Sequence, residues 1–147
     1  MRPLVTRLAQ TALTFGLLMA TATPALAEML AYKAELNGAS EVPPNDSKGT
    51  GVLVAKYDTA TKKLAWTVIY KDLTGPATAA HLHGPAAPGV NAGPQITLEG
   101  NLASPVKGEA MLSDAQAAEL AKGSWYLNVH TAAHPPGEIR GQLVKPK

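Results

Sequence analysis

Cysteine is absent from the 147 residues of the chain. This absence excludes a disulfide framework, thiolate catalysis and thiolate metal ligands. Any bound metal must therefore be held by imidazole, carboxylate or backbone oxygen atoms.

A surplus of charge is also missing once the first residues are set aside. The formal net charge is +2 at pH 7, and Arg2 and Arg7 account for both positive charges. A neutral remainder with scattered charges offers no electrostatic basis for binding nucleic acid or a membrane surface. We therefore expect the partner to be a metal ion or an unknown protein of the cell envelope.

Motifs of several enzyme classes are absent as well. The sequence has no Gly-x-Ser-x-Gly elbow, no phosphate-binding loop and no dinucleotide fingerprint. Asp46 and Asp58 have no second carboxylate at a useful spacing, so neither a glycosidase pair nor a calcium loop is indicated. We expect no nucleotide or organic cofactor.

The first 27 residues have the features of a secretory signal peptide. Arg2 and Arg7 give a positive start, an apolar stretch follows, and Ala25-Leu26-Ala27 ends it as a small-x-small cleavage motif. The stretch is short for a membrane span and is diluted by threonines. We expect cleavage after Ala27, one mature domain at residues 28–147, and a periplasmic or extracellular location without a membrane anchor.

The rest of the chain shows the alternation that is typical of β-strands. The segments at 51–57 and 63–71 alternate apolar and polar residues across a short connection and predict an antiparallel hairpin. Another strand is expected around His81 and His83. The prolines and glycines of 84–94 exclude a central strand there and indicate a functional loop or a crossover. The remaining predicted strands are 29–37, 95–101, 106–112, 124–131 and 138–144.

One short helix is predicted at about 114–122. Ser113 and Gln116 form a capping box at its start, and Gly123 ends it. Seven or eight short strands with one helix indicate an all-β fold, an antiparallel Greek-key sandwich or barrel.

All four histidines of the sequence fall in two short runs. His81 and His83 are two residues apart on a predicted strand, so their side chains share one side, with Cα atoms roughly 6.5 Å apart. Two imidazoles so placed can converge on one ion at about 2.0–2.1 Å, while Leu82 faces the core. His130 lies late in another strand on its polar face. His134 follows in a proline turn, as fourth ligand or gate.

Imidazole ligands without thiolates suit copper or zinc. The competing interpretation is a polar network in which each ring bonds a backbone carbonyl or Glu138 and holds the sheets together. The residues alone leave both interpretations open.

Three further residues are candidates for supporting the ligands. Glu138 is placed to accept a hydrogen bond from a ligating imidazole. Asn128 and Arg140 are the other two candidates for contacting and orienting the ligands. Glu138 and Arg140 also share a face of the last strand, so an ion pair with neighbours is the structural alternative.

Three blocks of the sequence suggest a family. Residues 36–44 read LNGASEVPP, residues 81–86 read HLHGPA, and residues 126–143 read YLNVHTAAHPPGEIRGQL. In order and spacing they resemble the signature blocks of the CHRD domain, which is repeated in chordin and occurs alone in exported bacterial proteins. The resemblance extends over about 30–143 and departs from the family pattern at Pro136. It implies an all-β domain whose molecular role is poorly defined.

A second, weaker similarity is to copper-zinc superoxide dismutases, which are Greek-key sandwiches with a His-x-His copper pair. His81 and His83 match that pair, and His130 would supply a third ligand. The bridging histidine, the zinc aspartate and the disulfide have no counterparts.

These observations predict a transition-metal binding protein, with copper before zinc. Two alternatives from other classes remain: a copper-dependent oxidoreductase of dismutase-like type, and a non-catalytic interaction or adhesion module with structural histidines. The residues favour binding over catalysis.

Overall fold

The structure is a computed structural model that describes residues 27–147. Apart from Ala27, the predicted signal peptide lies outside the described residues. Within them, no helix is both long and apolar enough to cross a membrane.

Short strands dominate the described chain. It contains eight β-strands, one α-helix, α1 (Asp114–Ala121), and one short 3-10 helix (Gly38–Ser40). The strands are β1 (Met29–Asn37), β2 (Thr50–Asp58), β3 (Lys63–Lys71), β4 (Ala77–His83), β5 (Pro94–Thr97), β6 (Val106–Met111), β7 (Tyr126–Thr131) and β8 (Ile139–Gln142).

The strands form one sheet that is nearly closed into a barrel. Its order is β5-β4-β7-β8-β1-β2-β3-β6, and every pair is antiparallel. The neighbours β4–β7, β8–β1 and β3–β6 are not consecutive, so crossovers of the Greek-key kind connect them. The predicted all-β class is confirmed in its barrel form. The capping box is also confirmed, because Ser113 Oγ accepts from the Gln116 N–H and Gln116 Oε1 from the Ser113 N–H.

Two strands, β5 and β8, are three residues shorter than predicted. β5 pairs with β4 through a register shift after Leu82 and ends at Thr97, beyond which the Leu98 N–H still donates to Ala80 O. β8 covers four residues instead of seven, although the flanking N–H groups of Glu138 and Leu143 keep bonds to β7 and to Trp125. Both strands therefore keep backbone hydrogen bonds beyond their ends, and only β5 has a register shift.

Alternate residues of each strand point into the barrel, and these inward residues are mostly apolar. The pattern is strict on β2, where Leu53, Ala55 and Tyr57 are buried and the residues between them are not. Leu120 of α1 and Trp125 before β7 are fully buried and complete the interior. Apolar burial of this extent is the main stabilising term for the fold.

The outward face of β7 and β8 is covered by three loops. Asn45 and Ser47 of the 38–49 loop bond Glu138. Gln142 donates to Ala86 O of the 84–94 loop. The third loop, 132–138, folds back on β7 through the Glu138 N–H, which donates to Val129 O. Polar side chains that point outward from this part of the sheet are therefore enclosed.

Candidate metal site

Strand pairing brings three of the four histidines together. In the β4–β7 ladder, Leu82 lies opposite Leu127 and both are fully buried, so His81 and His83 point outward as predicted. His130 lies opposite Ala79, on the diagonal from His81. One ligand nitrogen from each of His81, His83 and His130 lies within 4.8 Å of the other two. We call these three residues the histidine trio; all are partly buried.

Two members of the trio are in direct contact. His81 Nδ1 lies 3.1 Å from His130 Nε2. His130 Nδ1 lies 2.8 Å from Pro135 O, which can only accept, so Nδ1 carries the proton. In neutral His130 the Nε2 lone pair is then free, and His81 Nδ1–H donates to it. The lone pair of His130 therefore points at His81.

His83 is anchored from the 84–94 loop. Its Nδ1 lies 2.9 Å from Ala92 O, so Nδ1–H donates, and Nε2 carries the lone pair in the neutral ring. Nε2 lies 2.9 Å from Asn128 Oδ1, another acceptor. Neutral His83 therefore hydrogen-bonds Asn128 only if the amide turns its NH₂ toward the ring. With Asn128 Oδ1 toward the ring, the Nε2 lone pair of neutral His83 receives no hydrogen bond from Asn128.

The environment favours neutral imidazoles in the trio. Burial lowers the pKa of His81, and repulsion from His130 and His83 lowers it further. Burial also lowers the pKa of His83, although Ala92 O and Asn128 Oδ1, which both accept hydrogen bonds from a protonated ring, act in the opposite direction. Neutral imidazole is the form that binds metals.

A stack of planar groups borders the trio. The His83 and Tyr126 rings are parallel, with centroids 4.8 Å apart. The Arg140 guanidinium carbon lies 3.4 Å from the Tyr126 ring centroid. Because β4 and β8 flank β7 on opposite sides, Tyr126 stands between His83 and Arg140. The stack fixes the ring plane of His83.

A comparison with protein families identifies the fold's relatives. The family model of the CHRD domain matches residues 32–143. The chain belongs to the CHRD domain family. The match begins within β1 and ends just after β8, so it covers nearly the whole barrel and confirms the resemblance seen in three sequence blocks. No curated protein and no solved structure matches this CHRD domain.

The fourth histidine stands apart from the trio of the CHRD domain. His134 is not among the residues whose ligand atoms converge. Its backbone N–H donates to Thr131 O, and its side chain lines a different cavity together with Asp72 and Thr74. The structure does not bring the predicted fourth ligand to the other three.

Glu138 has neither of its two predicted partners. It is fully buried, and its carboxylate accepts hydrogen bonds from Ser47 Oγ, the Thr74 N–H and hydroxyl, and Thr131 Oγ1. No imidazole bonds it, and no ion pair within 4.0 Å is formed by it among residues 27–147. Glu138 therefore ties the 38–49 loop and the loop after β3 to the sheet.

The other two candidate supporting residues, Asn128 and Arg140, lie near the trio. Asn128 contacts His83 directly, and Arg140 contacts it through Tyr126. Sequence reasoning did not find Tyr126, or the carbonyls of Ala92 and Pro135 that orient two rings. The three-block resemblance contained Tyr126, whereas a backbone carbonyl leaves no mark on the sequence.

Proposed function

We propose that this CHRD domain is exported and binds a transition metal, copper before zinc, through His81, His83 and His130. The observation that carries the proposal is the convergence of three ring nitrogens within 4.8 Å. Two nitrogens bound to one tetrahedral ion at 2.0–2.1 Å stand about 3.3 Å apart. The 3.1 Å separation of His81 and His130 is already close to that distance.

Support also comes from the atoms behind the ligands. Metal-binding imidazoles donate their second N–H to a carbonyl or carboxylate, which fixes the tautomer. His83 and His130 each do so through Nδ1, to Ala92 O and Pro135 O. Both therefore present Nε2 as the ligand atom. The hydrogen bond from His81 Nδ1–H to His130 Nε2 holds the His81 ring close to the position of a third ligand.

Copper is preferred over zinc on chemical grounds. The ligands are all imidazoles, and Cu(II) binds such nitrogen sites more tightly than Zn(II) does. Export to an oxidising compartment is consistent with this order, since Cu(II) persists there.

The test is titration of the purified protein with Cu(II) and with Zn(II), followed by calorimetry. We expect one ion per chain and loss of that binding in the double variant His81→Ala/His83→Ala. His134→Ala is the matched control, because it removes a histidine outside the trio and should leave stoichiometry and affinity unchanged. Stoichiometric binding that survives the double change contradicts the proposal.

The pH dependence gives a second readout of the same site. Because the pKa values of His81 and His83 lie below the ordinary 6.5, both rings stay neutral to lower pH than a free imidazole. Proton competition at these two rings should therefore weaken metal binding only below pH 6.5. An affinity that is already lost at pH 6.5 argues against these ligands.

A second candidate, a copper-dependent oxidoreductase, is favoured by the number of ligands. Three protein ligands leave a coordination position for water or substrate, and the trio is only partly buried. Superoxide dismutation by the copper-loaded protein, lost in the double variant, would establish it. Binding without turnover leaves storage or transfer, and absence of binding leaves an interaction module with structural histidines.

A further inference from the structure

A cavity of about 390 Å³ lies between the 38–49 loop and the 84–94 loop, and none of the trio lines it. Its floor includes Arg140 and Gln142 of β8. Its walls are largely small and apolar: Ala39, Val42, Pro44, Pro88 and Gly89. Two buried polar side chains lie at this cavity: Arg140, which has no counter-ion among the described residues, and Glu41, whose Oε1 has no hydrogen-bond partner.

Arg140 is a buried cation without a counter-ion. It is 2% exposed, and Nη1 and Nη2 donate to neutral acceptors, Asn91 Oδ1 at 2.8 Å and Val90 O at 2.6 Å. No carboxylate oxygen in the described part of the chain lies within 4.0 Å of it. Besides these acceptors, the Tyr126 ring lies against the guanidinium, but no anion balances its charge. A guanidinium has five N–H donors, so donors remain for an anion.

Glu41 is a buried carboxyl group at the same cavity. It is 5% exposed, and its Oε1 has no hydrogen-bond partner in the structure. Burial raises its pKa to about 7, with the Arg140 charge and the Val42 backbone N–H offsetting part of the effect. Arg140 is the charged group that acts on it from β8, whereas Asn128 of β7 and Gly137 of the 132–138 loop are uncharged.

We propose that this cavity binds a small organic monocarboxylate with an aliphatic tail. Arg140 supplies the positive charge and N–H donors in a planar fork that fits a carboxylate. Glu41, in its acid form, donates an O–H to the same ligand. The apolar walls accommodate the tail. A single cation matches a single negative charge, so a dianion is less well balanced. None of the proposed metal ligands lines this cavity, although Arg140 reaches His83 through the Tyr126 ring.

The test uses isobutyrate as the probe and calorimetry as the readout, in a buffer free of other carboxylates. We expect one saturable site. If only the acid form of Glu41 binds, affinity falls about tenfold between pH 6 and pH 8, because the protonated fraction falls by that factor around pH 7. Glu41→Gln keeps a neutral donor, so its affinity should be the same at both pH values and match that of the unmodified protein at pH 6.

Matched ligands and variants complete the experiment. Isobutyramide has the same shape without the charge and should not bind, and Arg140→Gln should abolish binding of isobutyrate. Glu35→Gln, an exposed glutamate away from the cavity, is the control and should change nothing. Absence of saturable isobutyrate binding, equal binding of isobutyramide, tighter binding of inorganic phosphate, or an unchanged pH dependence in Glu41→Gln would each overturn the proposal.

Discussion

The outward face of the barrel has two halves. Side chains alternate inward and outward on the strands of both halves, but the outward side chains are exposed on one half and buried on the other. On the open half, β2 and β3 expose Val54 and Ile69, which are 51% and 58% accessible. On the covered half, β7 and β8 direct Tyr126, Asn128 and Arg140 outward, and all three are nearly inaccessible. The covering loops account for the difference. Alternation decides the direction of a side chain, and the loops decide its environment.

This difference explains where chemistry can arise. In a low-dielectric environment hydrogen bonds and charges have larger effects, and an unpaired polar group is costly. The covered half contains the buried Glu138 and Arg140 and borders the trio. Lys33 and Glu35 of β1, which adjoins β2 of the open half, pair in solvent. Equal substitutions should therefore have unequal effects on the two halves.

The largest expected contrast is between two glutamates. Glu138→Ala leaves Ser47, Thr74 and Thr131 without their acceptor in a buried site, and we expect a loss of about 3–5 kcal/mol in the free energy of unfolding. Glu35→Ala removes an exposed ion pair with Lys33 and should have little measurable effect. Urea unfolding of both variants measures the contrast. Similar losses would contradict the distinction between the halves.

Acid titration checks the same carboxylate without a substitution. Burial by itself raises the pKa of Glu138, but hydrogen bonds from Ser47, Thr131 and Thr74 lower it to about 2 from 4.5. The stabilisation is therefore present above pH 4.5 and is lost as pH falls toward 2. Glu138→Gln should remove most of the pH dependence of the free energy of unfolding between pH 4.5 and pH 2, measured by urea unfolding at several pH values.

Glu41 differs from Glu138 in the direction of its pKa shift. The pKa of Glu41 is raised from 4.5 to about 7, so its contribution is fully present below pH 4.5 and is lost as pH rises through 7. Glu41→Gln should leave stability nearly unchanged at pH 4.5 and increase it by about 3 kcal/mol at pH 8, in a buffer without carboxylates. Urea unfolding at both pH values is the measurement. A destabilised variant at pH 8 would show that ionised Glu41 has a partner.

The direction of each member of the trio could be predicted from sequence. The apolar Leu82 between two histidines, and the alternation of β7, correctly placed His81, His83 and His130 outward. The capping box at Ser113 and Gln116 likewise predicted the start of the helix. These features depend on neighbours in the chain, and local patterns record them well.

Enclosure could not be predicted, because it depends on contacts between distant residues. The prolines, turn residues and glycine of segment 40–49 are typical of a surface loop, yet Glu41 within it is buried beside Asn128 of β7 and Gly137 of the 132–138 loop. The three-block resemblance included Glu41 without a chemical role. The Glu138 contacts join residues 64 and 91 positions apart, a separation that no local pattern reports.

The smallest contrast isolates a single hydroxyl group in each half. Thr131→Val removes the hydroxyl that donates to Glu138 without changing the side-chain shape, and we expect a loss of about 2 kcal/mol because the acceptor is charged and buried. Val54→Thr adds a hydroxyl at an exposed site of the open half, where water satisfies it, so a change within about 0.5 kcal/mol is expected. Both variants stay β-branched, so strand propensity is nearly constant. If Val54→Thr costs as much as Thr131→Val, the outward face of β2 is covered in solution by something that this chain does not supply.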